Sequence, residues 1–249
     1  MRIMEENKEN TVNIEIKEKE ESNIIPINID TVFTQAKQYE ELMMMYKCAI
    51  REVLTKIEVL KDDLAVRSNR NPIETIKSRI KKPESIAKKL IHKNLDVTIE
   101  NIFTNLNDVA GIRVICGFID DIYDVADMIK AQDDINILQI KDYIKYPKVN
   151  GYRSYHMIVE VPVFFADRKQ LMKVEIQLRT IAMDFWASLE HQLRYKKDIE
   201  DSTEIASELK SCSDVITQTD FQMMMIRNRI NGTDENMQIR SIMTEKGAL

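Results

Sequence analysis

Residues 111–117 read Gly-Ile-Arg-Val-Ile-Cys-Gly, a short run of β-branched and apolar residues between two glycines. Such a composition favours extended backbone, and glycines commonly bound it, so the run predicts a buried strand. Three further strands are predicted at 135–145, 153–161 and 171–179. The last two are separated by Phe164 to Arg168 in hairpin fashion, and a helix is predicted from Asp120 to Lys130. A sheet is therefore expected in the middle of the chain.

Helical patterns flank this centre on both sides. Apolar residues recur at three- and four-residue spacing from Phe33 to Val66, which predicts one long amphipathic helix. A second helix is predicted from Pro83, because proline suits the first helical turn. Helices are predicted again from Ile181 to about Tyr195 and from Thr203 to about Ile230. The expected fold class is therefore α+β, a mixed β-sheet flanked by helices with long helices at the N- and C-terminal ends.

Composition divides the chain into four parts. Residues 1–30 carry eight acidic against four basic side chains with little apolar periodicity, which predicts a loose charged leader. The N-terminal helix is assigned to 31–70, the central domain to 71–200 and a C-terminal helical region to 201–249. The 249 residues, 44% of them hydrophobic, are enough to bury a core. No apolar run reaches the roughly 18 residues of a membrane span and the N-terminus lacks a signal-peptide core, so we expect a cytoplasmic protein with no membrane partner.

Glycine and histidine counts exclude several kinds of site. The five glycines cannot form the GxGxxG or GxxxxGK[ST] phosphate loops, so any bound phosphate must be held largely by side chains. Three histidines and scattered cysteines give no zinc-ligand spacing. Carboxylate-bound magnesium is the metal that remains.

A basic segment precedes and enters the second predicted helix. Residues 77–93 carry seven Lys or Arg side chains against one acidic one, and this concentration suits an anionic ligand. Arg79 and Lys81 come before the helix and Ser85 lies in its first turn, where amide donors and the positive end of the helix dipole could converge on a phosphate. A solvated helix face is the alternative interpretation.

Two carboxylates carry the clearest functional signal. Asp108 stands immediately before the β-rich run, five residues from Arg113, with a simple loop aspartate as the alternative. In the strand 171–179, alternation puts one polar set on the same face, which is Lys173, Glu175, Gln177 and Arg179. A continuous polar face on a central strand is costly unless it lines a wet cleft, so this face favours a functional role.

Aromatic and basic residues interleave at 141–156 around an Asn150-Gly151 turn. The rings could stack on a nucleobase while the bases hold phosphates. Single-stranded nucleic-acid binding uses the same residue types, so composition leaves a nucleotide enzyme and an RNA-binding module both open.

The order of these motifs resembles the RelA/SpoT synthetase domain over about residues 77–197. The matching stretches are Arg79-Ile80-Lys81, Pro83-Glu84-Ser85-Ile86 with Lys88-Lys89-Leu90, Asp108-Val109-Ala110-Gly111-Ile112-Arg113, Asp142-Tyr143 with Pro147-Lys148, Asn150-Gly151-Tyr152-Arg153-Ser154-Tyr155-His156, Val174-Glu175-Ile176-Gln177-Leu178-Arg179-Thr180, Phe185-Trp186-Ala187-Ser188-Leu189-Glu190-His191 and Tyr195-Lys196. Without a hydrolase domain before them or regulatory domains after them, the chain is expected to be a small alarmone synthetase with a nucleotidyltransferase-like fold. The resemblance implies transfer of the β,γ-pyrophosphate of ATP to the ribose 3′-hydroxyl of GTP or GDP, with release of AMP, in the stringent response.

Donor-side residues follow from the resemblance by position. Arg79 and Arg113 would sandwich the adenine of ATP, because guanidinium planes stack on aromatic rings. The ATP phosphates would be bound by Lys81, Ser85, Lys88 and Lys89. Asp108 and Glu175 would hold Mg²⁺, which neutralises charge during phosphoryl transfer. Glu175 is also the candidate general base.

Acceptor-side residues follow in the same way. Tyr152 would stack on the guanine, and Lys148 and His156 would contact the phosphates of GTP or GDP. The rest of that half of the site would be shaped by Asn150, Gln177 and Arg179. Glu190 would recognise the guanine edge, with an exposed helical glutamate as the alternative interpretation.

Assembly and regulation complete the expectations. Small synthetases of this family typically form homotetramers, and the helical ends here could supply the interfaces. Members with an alarmone-binding central cleft carry a Phe-x-Thr pair before the Arg-Ile-Lys motif, whereas Thr75 and Lys77 stand there in this chain, so we expect no activation by pppGpp.

A binding-only relative would not need both Asp108 and Glu175, since carboxylates repel phosphates unless a metal lies between them. An active enzyme is therefore favoured, with a single-stranded RNA regulator left open.

Overall fold

Five strands pair into one mixed sheet in the middle of the chain. The structure is a computed structural model and describes residues 11–14, 25–67, 70–195 and 202–232. Its strands are β1 (Thr11–Ile14), β2 (Ile25–Asn28), β3 (Ile73–Ile80), β4 (Ala110–Cys116), β5 (Asn136–Asp142), β6 (Tyr155–Phe164) and β7 (Lys169–Thr180). Its helices are α1 (Ile29–Arg67), α2 (Pro83–His92), α3 (Ile99–Asn105), α4 (Ile119–Lys130), α5 (Ile181–Tyr195) and α6 (Ser202–Ile230). The sheet order is β3-β4-β7-β6-β5, in which β4 and β7 run parallel and the other neighbours antiparallel. The α+β prediction is confirmed.

Alternate residues of the central strands face opposite sides of the sheet. The buried side is filled by apolar residues, which are Ile112, Val114, Val174, Ile176 and Leu178 together with side chains of α1 and α4. On the other side, Gln177 of β7 is the register partner of Arg113 on β4 and of His156 on β6. The polar face that alternation predicts for one strand therefore extends across three strands.

Most boundaries lie within a few residues of the predicted ones, but the strand predicted at 135–145 is too long. β5 ends at Asp142, whose side chain accepts hydrogen bonds from the backbone N–H groups of Ile144 and Lys145 at 2.9 and 2.8 Å. An aspartate that bonds to the backbone in this way stabilises a turn, so the chain leaves the sheet there.

Two elements of the central domain escape prediction. β3 places Arg79 in an edge strand, although its sequence is assigned above to a segment before the helix. The isoleucines of β3 stand at 73, 76 and 80, a spacing closer to a helical than to a strand period. α3 has only seven residues, too few for periodicity to be recognised.

The predicted leader contains two short strands, β1 and β2, which pair antiparallel. The rest of that leader (1–10 and 15–24), the junction 196–201 with Lys196 of the matching motif, and the stretch 233–249 lie outside the described residues. Among the helices that the structure describes, none is long and apolar enough to cross a membrane.

Candidate active site

Asp108 lies at the centre of a basic cluster at the beginning of β4. Its Oδ2 accepts hydrogen bonds from Nζ of Lys81 and from Nζ of Lys89, each at 2.6 Å. Lys81 is held beside β4, since its backbone N–H donates to the carbonyl of Val109 at 2.8 Å, and Lys89 comes from α2. Burial by itself raises the pKa of Asp108, but the two lysines outweigh it and leave the pKa below the ordinary aspartate value. The carboxylate is therefore ionised at neutral pH.

The second oxygen of Asp108 is buried and has no hydrogen-bond partner among the described residues. Buried carboxylate oxygens normally have a partner, so this one is available to a further ligand. Tyr46 of α1 is close enough for the charge of Asp108 to contribute to its raised pKa, about 12, although burial of the ring is the larger cause.

Arg79 and Arg113 lie on neighbouring strands and face the same side of the sheet. Arg79 is the register partner of Gly111, two residues from Arg113. Arg79 is exposed and Arg113 is half-buried. Burial lowers the pKa of Arg113 and the positive charge of Arg179 lowers it further, while Asp184 opposes both. Both arginines of the predicted adenine contact are thus on one side of the sheet, on neighbouring strands.

The remaining phosphate candidates, Ser85 and Lys88, lie in the first and second turns of α2. Ser85 and Lys88 are both exposed, and neither side chain contacts Asp108 among the described residues. Of the lysines predicted for the phosphates, Lys81 and Lys89 therefore lie together in the cluster, whereas Lys88 lies outside it.

Glu175 is the second carboxylate on the polar face, and β4–β7 pairing places it opposite Gly111. Its Oε1 accepts from Nδ1 of His156 at 3.2 Å and its Oε2 accepts from Nε2 of Gln177 at 2.8 Å. Burial and the nearby charge of Asp108 raise the pKa of Glu175, but His156 and Gln177 together bring the pKa below the ordinary glutamate value. Two ionised carboxylates thus face one region of the site.

A chain of hydrogen bonds runs from Glu175 through His156 and Tyr152 to Arg179. Nε2 of His156 and the hydroxyl of Tyr152 are hydrogen-bonded at 2.8 Å, and Arg179 donates to the same hydroxyl at 2.7 Å. Because a carboxylate only accepts, Nδ1 of His156 carries the proton in the bond to Glu175. His156 therefore lies between Glu175 and Tyr152, and its contact with the acceptor phosphates stays a prediction.

Asp184 is a site residue that the sequence interpretation missed. Its Oδ1 accepts from Arg113 at 2.9 Å and from Arg179 at 3.1 Å, and its Oδ2 lies 3.8 Å from Nζ of Lys77. It stands in the first turn of α5, directly after the polar strand β7. A carboxylate in that position was the only available signal, and it gives no indication of two arginine partners.

Tyr143 lies in one of the matching stretches, although no role was predicted for it. Its ring makes edge-to-face contacts with Tyr152 and with His156, at centroid distances of 5.9 and 5.2 Å. Nζ of Lys148 lies 4.8 Å from the centroids of both tyrosine rings. Lys148 therefore lies with the aromatic residues, and its positive charge is stabilised by two ring faces.

Residues 148–153, here named the acceptor loop, form a closed turn. The N–H of Gly151 donates to the carbonyl of Lys148 at 2.8 Å, and that of Tyr152 donates to the side chain of Asn150 at 3.2 Å. Gly151 has a φ of +88°, a left-handed conformation that favours glycine. Asn150 also donates to Glu190 of α5 at 3.2 Å, so these two predicted guanine-side residues lie together.

Comparisons with known proteins identify the family and the fold of this chain. Residues 78–200 match a family described as a region found in RelA / SpoT proteins. The GTP pyrophosphokinase YwaC of Bacillus subtilis is 39% identical over 204 residues, which are 82% of this chain and 97% of that protein.

Two solved structures from the same organism are also similar. Small alarmone synthetase 2 superposes with a TM-score of 0.70 at 40% identity, over 77% of this chain and 99% of the other. Small alarmone synthetase 1 bound to its product pppGpp gives a TM-score of 0.72 at 34% identity, over 78% and 98%. By sequence and by fold, this chain belongs to the RelA/SpoT family.

Proposed function

We propose that this chain is a (p)ppGpp synthetase, which transfers the β,γ-pyrophosphate of ATP to the ribose 3′-hydroxyl of GTP or GDP. The 3′-oxygen attacks the β-phosphorus, the bond from that phosphorus to the α,β-bridging oxygen breaks, and AMP leaves. The observation that carries the proposal is that a lysine-rich cluster around Asp108 and an aromatic cluster beside Glu175 meet on one face of the sheet. Similar members of the family are named GTP pyrophosphokinases.

The donor half consists of β3, β4 and α2. Arg79 and Arg113 present two neighbouring guanidinium groups for the adenine, and Lys81 and Lys89 lie where the phosphates would approach Asp108. Ser85 and Lys88 complete the phosphate contacts from the exposed side of α2. In-line transfer needs positioning and charge stabilisation more than covalent chemistry, and this half supplies both.

Mg²⁺ fits the two carboxylates. Asp108 has a buried oxygen without a partner among the described residues, and oxygen ligands suit this ion. Mg²⁺ is commonly bound by one or two carboxylates together with nucleotide phosphates. When bound, Mg²⁺ would neutralise charge on the transferred phosphates.

The acceptor half consists of the acceptor loop, β6, β7 and α5. Tyr152 offers a ring for guanine stacking, Lys148 beside it supplies a cation for phosphate, and Asn150 and Glu190 offer hydrogen-bonding groups to the base edge. Gln177 and Arg179 hold Glu175 and Tyr152 in place. Glu175, ionised and oriented by His156, is the group that would accept the 3′-hydroxyl proton.

Anion-exchange separation of nucleotides tests the activity. Pure protein incubated with ATP, Mg²⁺ and GTP or GDP is expected to yield guanosine penta- or tetraphosphate with an equal amount of AMP. Glu175→Gln should lower turnover by about a thousandfold, since general base and metal ligand are lost together. Glu58→Gln is the matched control, because Glu58 is exposed on α1, outside both halves of the site.

The result also separates the enzyme from a binding module. Absence of AMP and of new guanosine phosphates with every acceptor would contradict the proposal. Salt-sensitive RNA binding that survives both Asp108→Ala and Glu175→Ala would then favour a single-stranded RNA-binding relative. With an active enzyme, an RNA regulator and a cytoplasmic location both stay predictions.

A homotetramer is proposed from the surface of α5. Ile181, Phe185, Leu189 and Leu193 recur every four residues and expose 57, 59, 42 and 56% of their surface. Such a stripe on one helix face is typical of an interface between copies of a chain. Light scattering should give about four times the chain mass of 29.1 kDa, and a mass near one chain would contradict the proposal.

A further inference from the structure

The C-terminal helix α6 packs directly on the acceptor loop. Ser213 is buried, and its hydroxyl donates to the backbone carbonyl of Gly151 at 2.6 Å. A Cβ added to Gly151 would lie 2.6 Å from Cβ of Ser213 and 3.4 Å from Cα of Lys210. The loop and the helix are therefore in contact where Tyr152 leaves the turn.

Further bonds hold α6 against the catalytic domain on either side of that contact. The indole N–H of Trp186 donates to the carbonyl of Leu209 at 2.9 Å. The hydroxyl of Thr180 donates to Asp220 at 2.6 Å and accepts from the N–H of Met183, so α6 also supports the start of α5. Near its end, Arg227 of α6 donates to Asp120 of α4. Ser213 is thus presented to the loop by a helix that is fixed at three places.

Arg153 of the acceptor loop also contributes to the contact between this loop and α6. Its guanidinium donates to the carbonyl of Ile144 at 3.1 Å and attracts Asp220. Burial lowers the pKa of Arg153, while the carboxylates of Asp220, Asp142 and Asp214 oppose that shift. The last residue of the acceptor loop is therefore held between the turn after β5 and α6.

We propose that Ser213 is a positioning residue for the acceptor nucleotide. By binding the carbonyl of Gly151 it fixes the turn between Asn150 and Tyr152, and so the ring on which guanine would stack. The inference rests on the proposed function and extends the acceptor half to a helix beyond the matched family region 78–200. The donor half makes no contact with Ser213 among the described residues.

Ser213→Ala removes the hydroxyl without adding bulk. The KM for GTP or GDP is expected to rise about three- to tenfold, as for loss of one hydrogen bond, while the KM for ATP stays within about twofold. Thr219→Ala is the matched control, because Thr219 lies on the exposed side of α6 and donates only to Val215 within the helix. Ser213→Thr keeps a hydroxyl and should restore the acceptor KM.

Hydrogen exchange reports the same contact without turnover. Amides of residues 148–153 are expected to exchange faster in Ser213→Ala than in the wild type or in Thr219→Ala, with strands β4 and β7 unchanged. This readout distinguishes the two proposals, since it responds to the loop even if the protein makes no alarmone. An unchanged loop exchange, an equal rise of both KM values, or a Ser213→Thr variant that behaves like Ser213→Ala would overturn the inference.

Discussion

Arg113 and Arg179 lie on the adjacent parallel strands β4 and β7 and donate to the same oxygen, Oδ1 of Asp184, at 2.9 and 3.1 Å. In the proposed function, Arg113 belongs to the donor half of the site and Arg179 to the acceptor half. Their positive charges disfavour each other, as the lowered pKa of Arg113 reflects after the larger contribution of burial. One carboxylate therefore permits two guanidinium groups to stand together where the two nucleotides would meet.

Replacing Asp184 should affect both nucleotides at once. In Asp184→Asn the neutral amide no longer offsets the two arginines, and kcat/KM is expected to fall about 10- to 100-fold for ATP and for the acceptor alike. Steady-state kinetics with each substrate varied in turn will measure this. Asp167→Asn, which alters an exposed ion pair with Arg168, should leave both values unchanged. A defect confined to one nucleotide would contradict the bridging role.

The Tyr152 hydroxyl and ring should make separable contributions. Tyr152→Phe keeps the ring but removes the bond that links His156 to Arg179, and kcat/KM for the acceptor should fall about tenfold. Tyr152→Ala also removes stacking and should lose about a further 10-fold or more in acceptor affinity. The KM for ATP serves as the internal control. Equal defects in the two variants would mean that the ring does not stack on guanine.

The acid side of the stability profile should depend on Asp108. Its pKa in the folded protein lies below the ordinary value of 3.8, so its stabilising contribution is present above that pH and is lost as the pH falls through the lowered pKa. Asp108→Asn should be less stable at neutral pH, because Lys81 and Lys89 lose their carboxylate. Its melting temperature should also fall less between pH 5 and strongly acidic solution. Thermal unfolding followed by circular dichroism measures both differences, and parallel curves for the two proteins would contradict the expectation.

Asp220 should show the opposite sign. Burial raises its pKa above the ordinary value, although the Thr180 hydrogen bond and Arg153 lower it in part. A raised pKa means that stability is present below the unfolded value and is lost as the pH rises through the folded one. Asp220→Asn can still accept from Thr180 without carrying a buried charge. The melting temperature of Asp220→Asn minus that of the wild type should therefore be larger at pH 7 than at pH 4. The same difference at both pH values would contradict the raised pKa.

Sequence reasoning found the residues whose chemistry is recognisable in the local motif. Asp108, Glu175 and Tyr152 lie in stretches where a polar group interrupts an apolar pattern or an aromatic ring follows a turn, and the resemblance then implies a role for each. Asp184 was missed because its role depends on Arg113, 71 residues earlier in the chain. Ser213 was missed for the same reason, since the carbonyl that it binds is 62 residues away.

The surroundings of His156 illustrate a different limit. The resemblance names it as a phosphate contact, but the sequence cannot tell which neighbours bond to its two ring nitrogens. Glu175 and Tyr152 occupy them, and both partners are supplied by the three-dimensional arrangement of β6, β7 and the acceptor loop. The strand β3 was overlooked because an edge strand needs few buried residues, which leaves little period-two signal to detect.

The parallel pairing of β4 with β7 has a consequence for how the enzyme becomes active as it folds. It joins Gly111 to Glu175 across more than sixty intervening residues, including α4 and two other strands, and closing so long a loop carries a large entropic penalty. Long-range pairing of this kind slows folding, whereas helices such as α1 form from local contacts. Helical signal should therefore return before turnover does when the unfolded chain is diluted from denaturant. Turnover then reports completion of the most distant strand pairing in the described sheet.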